Sequence, residues 1–278
     1  MSETIIKNMV HNYSAGPCIL PKEVFQKAGQ AVLDFNSSGL SILEMSHRSK
    51  EIVAVADATV ALVKETLGVP SGYSVLFLQG GASLQFYMAA LNLLKKGGKA
   101  GYIDTGAWSS KAVKEAKRLG DIQVLASSKD KNYNYIPKGF DIPSDLDFVH
   151  YTTNNTIYGT EFFDIPHTDA PLVADMSSDI FSRSVNVADF GLISAGAQKN
   201  LGPSGTVLVI IRKSLLNQCS DALPLLLNYN AIASKNSMLN TPPTFGIYLM
   251  GQVFKWIQLE GGLKAMEDRN IHKAKLIY

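Results

Sequence analysis

Residues 192–212, LISAGAQKNLGPSGTVLVIIR, contain two mainly apolar runs on either side of a loop of small residues. The runs Leu192–Ala195 and Thr206–Arg212 lack a polar face, which is typical of strands buried on both sides of a sheet. The loop between them carries one lysine, Lys199. A lysine beyond a buried strand, with few polar neighbours, suits a desolvated nucleophilic amine, although a solvated loop lysine is the commoner case.

The same alternation of short apolar runs and longer amphipathic stretches extends outward along the chain. It predicts further strands at 74–78, 100–104, 122–126, 148–152 and 172–174. It predicts helices at 22–36, 50–67, 83–94, 108–119, 248–259 and 262–278, with Ser49 as N-cap of the second. This alternation favours an α/β fold with a mainly parallel sheet sandwiched by helices.

Composition narrows the class of protein. The 278 residues suffice for one large domain or two ordinary ones, and 26 basic against 24 acidic residues give a net charge of +2. This balance argues against binding of nucleic acid or a membrane surface. No apolar run approaches the ~20 residues of a membrane span.

Cys18 and Cys219 are expected to be reduced thiols, so a cytoplasmic location is predicted. No metal site is predicted.

Three other loops follow predicted strands and carry small or polar residues. The turn Gln79–Ser83, QGGAS, leads into a helix, where backbone N–H groups can approach a phosphate. Asp175 follows the apolar run PLV and could hold the proton of a cationic ring nitrogen. Trp108 could stack on a planar cofactor. Taken singly, a tight turn, a capping aspartate and a core tryptophan explain these features as well or better.

The order of these parts is more informative than any one of them. The order resembles that in enzymes of fold type I that use pyridoxal 5'-phosphate (PLP). It runs from a phosphate loop through a stacking aromatic and an aspartate for a pyridine nitrogen to a lysine. The set therefore predicts that Lys199 carries PLP as a Schiff base.

Longer strings resemble the phosphoserine aminotransferase family of the class-V aminotransferases. They span almost the whole chain in the family's order: NYSAGPCILP (12–21), EMSHRS (44–49), QGGASLQF (79–86), NNTIYGTEF (154–162), VADMSSDIFSR (173–183), AGAQKNLGPSG (195–205) and NTPPTF (240–245). The resemblance implies reversible amino transfer between O-phospho-L-serine and 2-oxoglutarate, giving 3-phosphohydroxypyruvate and L-glutamate. It also implies a second substrate in many bacterial relatives, 4-phosphohydroxy-L-threonine.

The resemblance implies a role for each matched residue. Lys199 binds the cofactor covalently and then moves the proton, as a catalytic base. Asp175 pairs with the ring nitrogen and Trp108 stacks on the ring. The other implied cofactor contacts are Ala82, Ser83, Thr156 and Gln198. Asn240 and Thr241 match residues that reach the cofactor of a neighbouring subunit, which implies a homodimer. His47 and Arg48 match the substrate-anion motif, and a guanidinium suits a carboxylate or phosphate.

The implied domain organisation has three parts. Residues 1–20 contribute to the active site, residues 21–259 form the large PLP-binding domain, and residues 260–278 begin a helix leading to a small C-terminal domain. Because the last helical pattern has no end signal, we expect that small domain to be absent or truncated. Two departures from the family are Asn155, where many members have Glu, and Ser83, at a variable position.

Two alternatives remain open from the sequence. The first is another class-V PLP enzyme, such as a serine–pyruvate or alanine–glyoxylate aminotransferase or a cysteine desulfurase. A desulfurase usually has a histidine before the cofactor lysine, and this chain has Gln198. The second is a truncated, non-catalytic dimerising PLP-binding domain.

Overall fold

The computed structural model describes residues 10–278, and residues 1–9 of the predicted N-terminal segment lie outside it. Its helices are α1 (Lys22–Leu33), α2 (Lys50–Leu67), α3 (Gly81–Leu93), α4 (Ala107–Ala116), α5 (Lys213–Leu216), α6 (Tyr229–Ala233), α7 (Thr244–Leu259) and α8 (Gly262–Ile277). Its strands are β1 (Tyr73–Leu78), β2 (Lys99–Asp104), β3 (Asp121–Ser127), β4 (Phe148–Thr152), β5 (Asn154–Asn155), β6 (Thr160–Glu161), β7 (Leu172–Asp175), β8 (Leu192–Gly196) and β9 (Val207–Arg212).

Seven of the strands form one sheet in the order β1-β9-β8-β7-β4-β2-β3. The run from β8 to β3 is parallel, as predicted, and β9 is antiparallel to both of its neighbours, β8 and β1. Strand β1 therefore points the same way as β8. The carboxyl ends of β1, β2, β4, β7 and β8 lie at one edge of the sheet, where ligands bind in open α/β folds.

Helices cover both faces of the sheet, which explains why most positions of its inner strands are apolar. In β1, Val75 and Phe77 pack into the cluster that contains α2 and α7, while Leu76 and Leu78 pack against α3 on the opposite face. Successive residues of a strand point to opposite faces, so a strand covered on both sides has few positions suited to a polar side chain.

The antiparallel direction of β9 determines where Lys199 lies. Gly196 at the end of β8 pairs with Val207 at the start of β9. Because antiparallel neighbours need no crossover helix, the chain returns through a loop that stays at the edge of the sheet. The lysine loop is that connection.

The predicted elements are found, with shifts at their ends. Helix α2 and strand β4 have the predicted bounds, and Ser49 Oγ accepts from Ile52 N at 3.3 Å as the predicted N-cap. Helix α1 ends at Leu33 instead of residue 36, because Asn36 adopts a left-handed conformation (φ 53°) within a short 3₁₀ turn. Helix α4 ends at Ala116 instead of residue 119.

Three helices begin earlier than predicted, and four short elements were not predicted. Helix α3 begins at Gly81, inside the glycine turn, α4 begins at Ala107, and α7 begins at Thr244. The hairpin β5–β6 and the helices α5 and α6 are too short to produce a periodic pattern in the sequence.

Two further properties concern the chain as a whole. Within residues 10–278 no helix combines the length and apolar character needed to cross a membrane. Cys18 and Cys219 are free thiols, as predicted, and Cys219 is buried.

Candidate active site

Lys199 lies at the edge of the sheet where the parallel strands end. Its side chain is half-buried, and its Nζ lies 5.9 Å from the centre of the Trp108 ring. Burial lowers the pKa of the Lys199 amine, while the charge of Asp175 and, to a smaller extent, Cys18 and Asp179 act in the opposite direction. A partly desolvated amine of this kind is a competent nucleophile.

Two hydroxyl groups surround the Lys199 amine. Lys199 Nζ donates hydrogen bonds to Thr156 Oγ1 and to Ser178 Oγ, the latter at 2.8 Å. The two hydroxyls also bond to each other at 2.7 Å. Thr156 follows β4 and Ser178 follows β7, so the contact depends on the parallel pairing of those two strands.

Asp175 is the last residue of β7 and is only 4% exposed. Its Oδ1 accepts from Ser177 N at 3.0 Å and from Ser177 Oγ at 2.6 Å, while Gly196 N donates to Ser177 Oγ at 3.0 Å. Oδ2 accepts no hydrogen bond from residues 10–278. Burial raises the pKa of Asp175, and the Ser177 bonds and the Lys199 charge oppose that shift. The buried carboxylate therefore presents one oxygen for a cationic partner.

Trp108 is held at the start of α4 by hydrogen bonds around Asp104. Ser109 Oγ and Ser110 Oγ donate to Asp104 Oδ1 at 3.0 and 2.7 Å, and Thr105 N donates to Ser109 Oγ at 2.8 Å. The Nε1 atom of Trp108 is buried and has no hydrogen-bond partner among the described residues. The arrangement fixes an indole ring beside Lys199.

The glycine turn after β1 opens directly into α3. Gly80 and Gly81 have φ values of 87° and 66°, a left-handed conformation that favours glycine. Ala82 is half-buried and Ser83 exposed in the first turn of the helix. The backbone N–H groups of a first helical turn lack intrahelical partners and can bind a phosphate.

The N-terminal segment covers the stem of the lysine. Cys18 N donates to Gln198 O at 2.8 Å, next to Lys199 in the chain. A Cβ placed on Gly16 would lie 3.1 Å from Lys199 Cγ. A side chain at this position would require the lysine stem to shift by a few tenths of an ångström. Gln198 itself is half-buried.

The predicted substrate residues, His47 and Arg48, belong to the segment between α1 and α2. Arg48 is exposed, and its guanidinium makes no ion pair or hydrogen bond within residues 10–278. The Nε2 atom of His47 is buried, also with no partner in that part of the chain. Neither residue is joined to Lys199 by a hydrogen bond or ion pair among the described residues.

Asn240 and Thr241 are exposed and lie beside the glycine turn rather than beside Lys199. Gln79 Nε2 donates to Thr241 O at 2.8 Å. Gly80 and Asn240 line one cleft of about 350 Å³. The structure therefore brings together Lys199, Asp175, Trp108 and Thr156, and leaves two predicted pairs outside that group.

The assembled residues fit pyridoxal phosphate group by group. An amine faces two hydroxyls, a buried carboxylate offers a free oxygen for a ring nitrogen, an indole lies nearby, and a helix N-terminus lies at the same edge of the sheet. Sequence reasoning gave no role to four residues that shape this site, Gly16, Cys18, Ser177 and Ser178. The motifs SAGPCILP and VADMSSDIFSR contained them, but nothing in the sequence distinguished their roles.

Comparison with known proteins identifies the family. The profile of the family described as Aminotransferase class-V matches residues 10–278. The phosphoserine aminotransferase of Flavobacterium psychrophilum is 54% identical over 269 residues, which cover 96% of this chain and 76% of that protein.

Solved structures give the same result. The phosphoserine aminotransferase of Bacillus circulans subsp. alkalophilus matches with a TM-score of 0.94 and 47% identity, covering 96% of this chain and 75% of that one. The PLP-bound enzyme of Trichomonas vaginalis matches with a TM-score of 0.90 and 37% identity, covering 96% and 80%.

The chain belongs to the class-V aminotransferase family. The predictions of fold type I, of a PLP-dependent aminotransferase and of PLP as the cofactor are confirmed.

Proposed function

We propose that this chain is a phosphoserine transaminase, which transfers an amino group reversibly between O-phospho-L-serine and 2-oxoglutarate to give 3-phosphohydroxypyruvate and L-glutamate. The observation that carries the proposal is the cluster of Lys199, Asp175, Trp108 and Thr156 in a chain 54% identical to a phosphoserine aminotransferase. Serine biosynthesis is the route that this reaction serves.

Each residue of the cluster has a distinct task. Asp175 Oδ2 holds a proton on the ring nitrogen, because a buried carboxylate stabilises a neighbouring cation strongly. Trp108 covers the ring and excludes water from one face. The first turn of α3, with Ala82 and Ser83, and the side chain of Gln198 orient the phosphate.

Lys199 performs the covalent and acid–base work. When bound, pyridoxal phosphate supplies an aldehyde that takes up the amino group and a ring that delocalises the electrons left on the substrate carbon. Lys199 Nζ is the amine that would bind this aldehyde covalently. When free, the same amine would act as the base that takes the proton from the substrate Cα. Thr156 fixes the position of this amine.

His47 and Arg48 bind the acidic groups of the substrate. Their side chains offer a buried imidazole nitrogen and an exposed guanidinium without partners in residues 10–278, which suits an anionic ligand. Neither residue is joined to Lys199 by a hydrogen bond or ion pair within residues 10–278, and we assign them to the neighbouring site of a homodimer. Asn240 and Thr241 then reach the neighbouring cofactor.

The division of the chain follows from these tasks. Residues 21–259 form the PLP-binding domain, and the preceding segment completes its site through Gly16 and Cys18. The two unpaired thiols, Cys18 and Cys219, support a cytoplasmic location, where thiols stay reduced.

The substrate is tested with the purified, PLP-loaded protein. O-phospho-L-serine should abolish the visible absorbance of the bound cofactor, and 2-oxoglutarate should restore it with release of glutamate. Lys199→Ala should lack the band of the lysine-bound cofactor before substrate is added and should release no glutamate. Lys114→Ala, an exposed lysine of α4, is the matched control and should behave as the wild type.

L-alanine provides the competing outcome. If alanine abolishes the band and phosphoserine does not, the enzyme is a different class-V aminotransferase. A protein that binds PLP but responds to neither amino acid would be the non-catalytic domain.

The dimer is tested by light scattering, where a mass of twice 30.2 kDa is expected. Asn240→Ala should leave that mass unchanged and weaken PLP binding. A monomer that binds PLP as tightly as the wild type would contradict the subunit-crossing role.

A further inference from the structure

Among residues 10–278, Lys199 Nζ donates hydrogen bonds to two hydroxyls, and the proposed mechanism does not use that of Ser178. Lys199 Nζ lies 2.8 Å from Ser178 Oγ, and Ser178 Oγ lies 2.7 Å from Thr156 Oγ1. The amine and the two hydroxyls thus form a closed triangle of hydrogen bonds. A lysine amine that leaves the cofactor in each turnover needs hydrogen-bond partners that keep it near the reacting carbon.

The backbone that carries Ser178 is fixed from the β4 side. Thr153 N donates to Asp175 O at 3.1 Å, and the Thr153 hydroxyl donates to the carboxylate of Asp179. These bonds clamp the turn at residues on either side of Ser178. The Cα atom of Ser178 therefore has little freedom to move relative to β4.

The turn is also fixed from the side of the lysine loop. Asn200 Nδ2 donates to Ile180 O at 2.7 Å. Asn200 follows Lys199 directly, so this bond ties the loop of the lysine to the turn of Ser178. Together with the hydrogen bonds of Thr153, it fixes the position of the Lys199 amine relative to the Ser178 hydroxyl.

The chemistry of the amine explains why a hydroxyl is useful there. Burial disfavours the ammonium form of Lys199, and the charged or titratable groups that act on it are Asp175, Cys18 and Asp179. A hydroxyl accepts a hydrogen bond from the ammonium form and donates one to the lone pair of the neutral amine. It can therefore accept from the ammonium form and donate to the neutral amine, whereas an ionised carboxylate can only accept.

We propose that Ser178 is a further catalytic residue, which binds the Lys199 amine whenever that amine is free of the cofactor and aims it for proton transfer. The proposal rests on the proposed function for the identity of the reaction. The triangle of hydrogen bonds itself belongs to the protein without substrate, and this allows a separate test.

The test measures the Lys199 amine in the cofactor-free protein. Acetic anhydride is applied over a range of pH, and the acetylation of Lys199 is followed by mass spectrometry, which gives the pKa from the midpoint of the profile. Ser178→Ala should lower that pKa by about one, so that the unprotonated fraction at a given pH rises about tenfold, because a hydrogen bond to the charged form is lost.

Matched variants separate this role from a merely structural one. Ser182→Ala, a half-buried serine of the same segment, and Ser178→Thr, which keeps the hydroxyl, should leave the midpoint unchanged. If Ser178→Ala does not fold, Ser178→Gly serves in its place and should shift the midpoint in the same direction, since it also lacks the hydroxyl. A midpoint that stays at the wild-type value in a folded Ser178→Ala or Ser178→Gly protein overturns the proposal.

Turnover gives the second readout. In the PLP-loaded enzyme, Ser178→Ala should reduce kcat for phosphoserine about tenfold and leave KM within about twofold, because the hydroxyl acts on the lysine and not on the substrate. A change confined to KM contradicts the role. If the wild type does not use phosphoserine, the proposed function fails while the acetylation result still decides on Ser178.

Discussion

At the residue scale, the hydrogen bonds on Asp175 decide which of its oxygens faces a ligand. Ser177 supplies both donors to Oδ1, and Gly196 N holds the Ser177 hydroxyl in turn. The carboxylate is thereby anchored to β8, the strand that leads to Lys199. The distance between the carboxylate and the lysine depends on one serine hydroxyl.

Ser177→Ala should weaken PLP binding about tenfold. The loss of a hydrogen bond to a charged group costs about 1.5–3 kcal/mol, part of which Ser177 N still provides. The bond also lowers the pKa of Asp175, so its loss favours the neutral carboxyl, which holds the ring proton poorly. The dissociation constant is measured by titrating PLP into the cofactor-free protein.

Ser182→Ala is the control for this titration and should bind PLP like the wild type. An unchanged affinity in Ser177→Ala would show that the backbone N–H alone orients Asp175.

At the scale of the element, the turn between β1 and α3 joins a strand to a helix without a spacer. Gly80 adopts a left-handed conformation, and a Cβ there would lie 2.8 Å from Leu84 Cβ. The helix can begin at Gly81 because neither position carries a side chain. This early start places its first N–H groups at the edge of the sheet.

Gly80→Ala should destabilise the protein by about 2–4 kcal/mol, since left-handed strain and a steric clash add together. The measurement is the midpoint of urea unfolding followed by circular dichroism. Gly97→Ala is the matched control, because Gly97 also has a positive φ (73°) but has open space around its Cα. Gly97→Ala should lower the free energy of unfolding by about 1–2 kcal/mol. Equal losses in the two variants would mean that Leu84 moves aside freely.

At the scale of the whole molecule, a buried group of charges connects the strand ends beneath the site. Asp179 accepts from Thr153 after β4 and lies 3.7 Å from Arg183, which in turn lies 3.4 Å from Glu161 of β6. Burial raises the pKa of Asp179 to about 7, although Thr153 and Arg183 oppose the shift. This carboxyl is therefore neutral in the folded protein at a pH where the unfolded chain is ionised.

The sign of the resulting pH dependence follows from linkage. Between about pH 4 and pH 7 the folded state binds one more proton at Asp179 than the unfolded state, so this contribution to stability is full below pH 4 and declines as the pH rises to 7. Asp179→Asn should remove that decline, which is on the order of 3 kcal/mol. Urea unfolding of both proteins at pH 4.5 and about pH 8 gives the comparison. A parallel pH dependence in the two proteins would contradict the raised pKa.

The larger elements and their order could be predicted from the sequence because the signals are local. Apolar runs without a polar face gave the buried strands, and Ser49 gave the start of α2. The order of Gly80, Trp108, Asp175 and Lys199 along the chain indicated the cofactor before any distance was known. Short elements such as β5 and β6 escaped prediction, since two residues carry no periodic pattern.

The sequence by itself determined the longer elements and the class of cofactor, and it predicted which residues would bind that cofactor, because propensity, periodicity and motif all act over a few neighbouring residues. Only the tertiary structure decided that β9 runs antiparallel, that Oδ2 of Asp175 is the free oxygen, and that Ser178 touches Lys199. These depend on strand order and register, which bring together residues such as Thr153 and Asp179, 26 positions apart. No local pattern encodes a contact between groups that meet only when the sheet has formed.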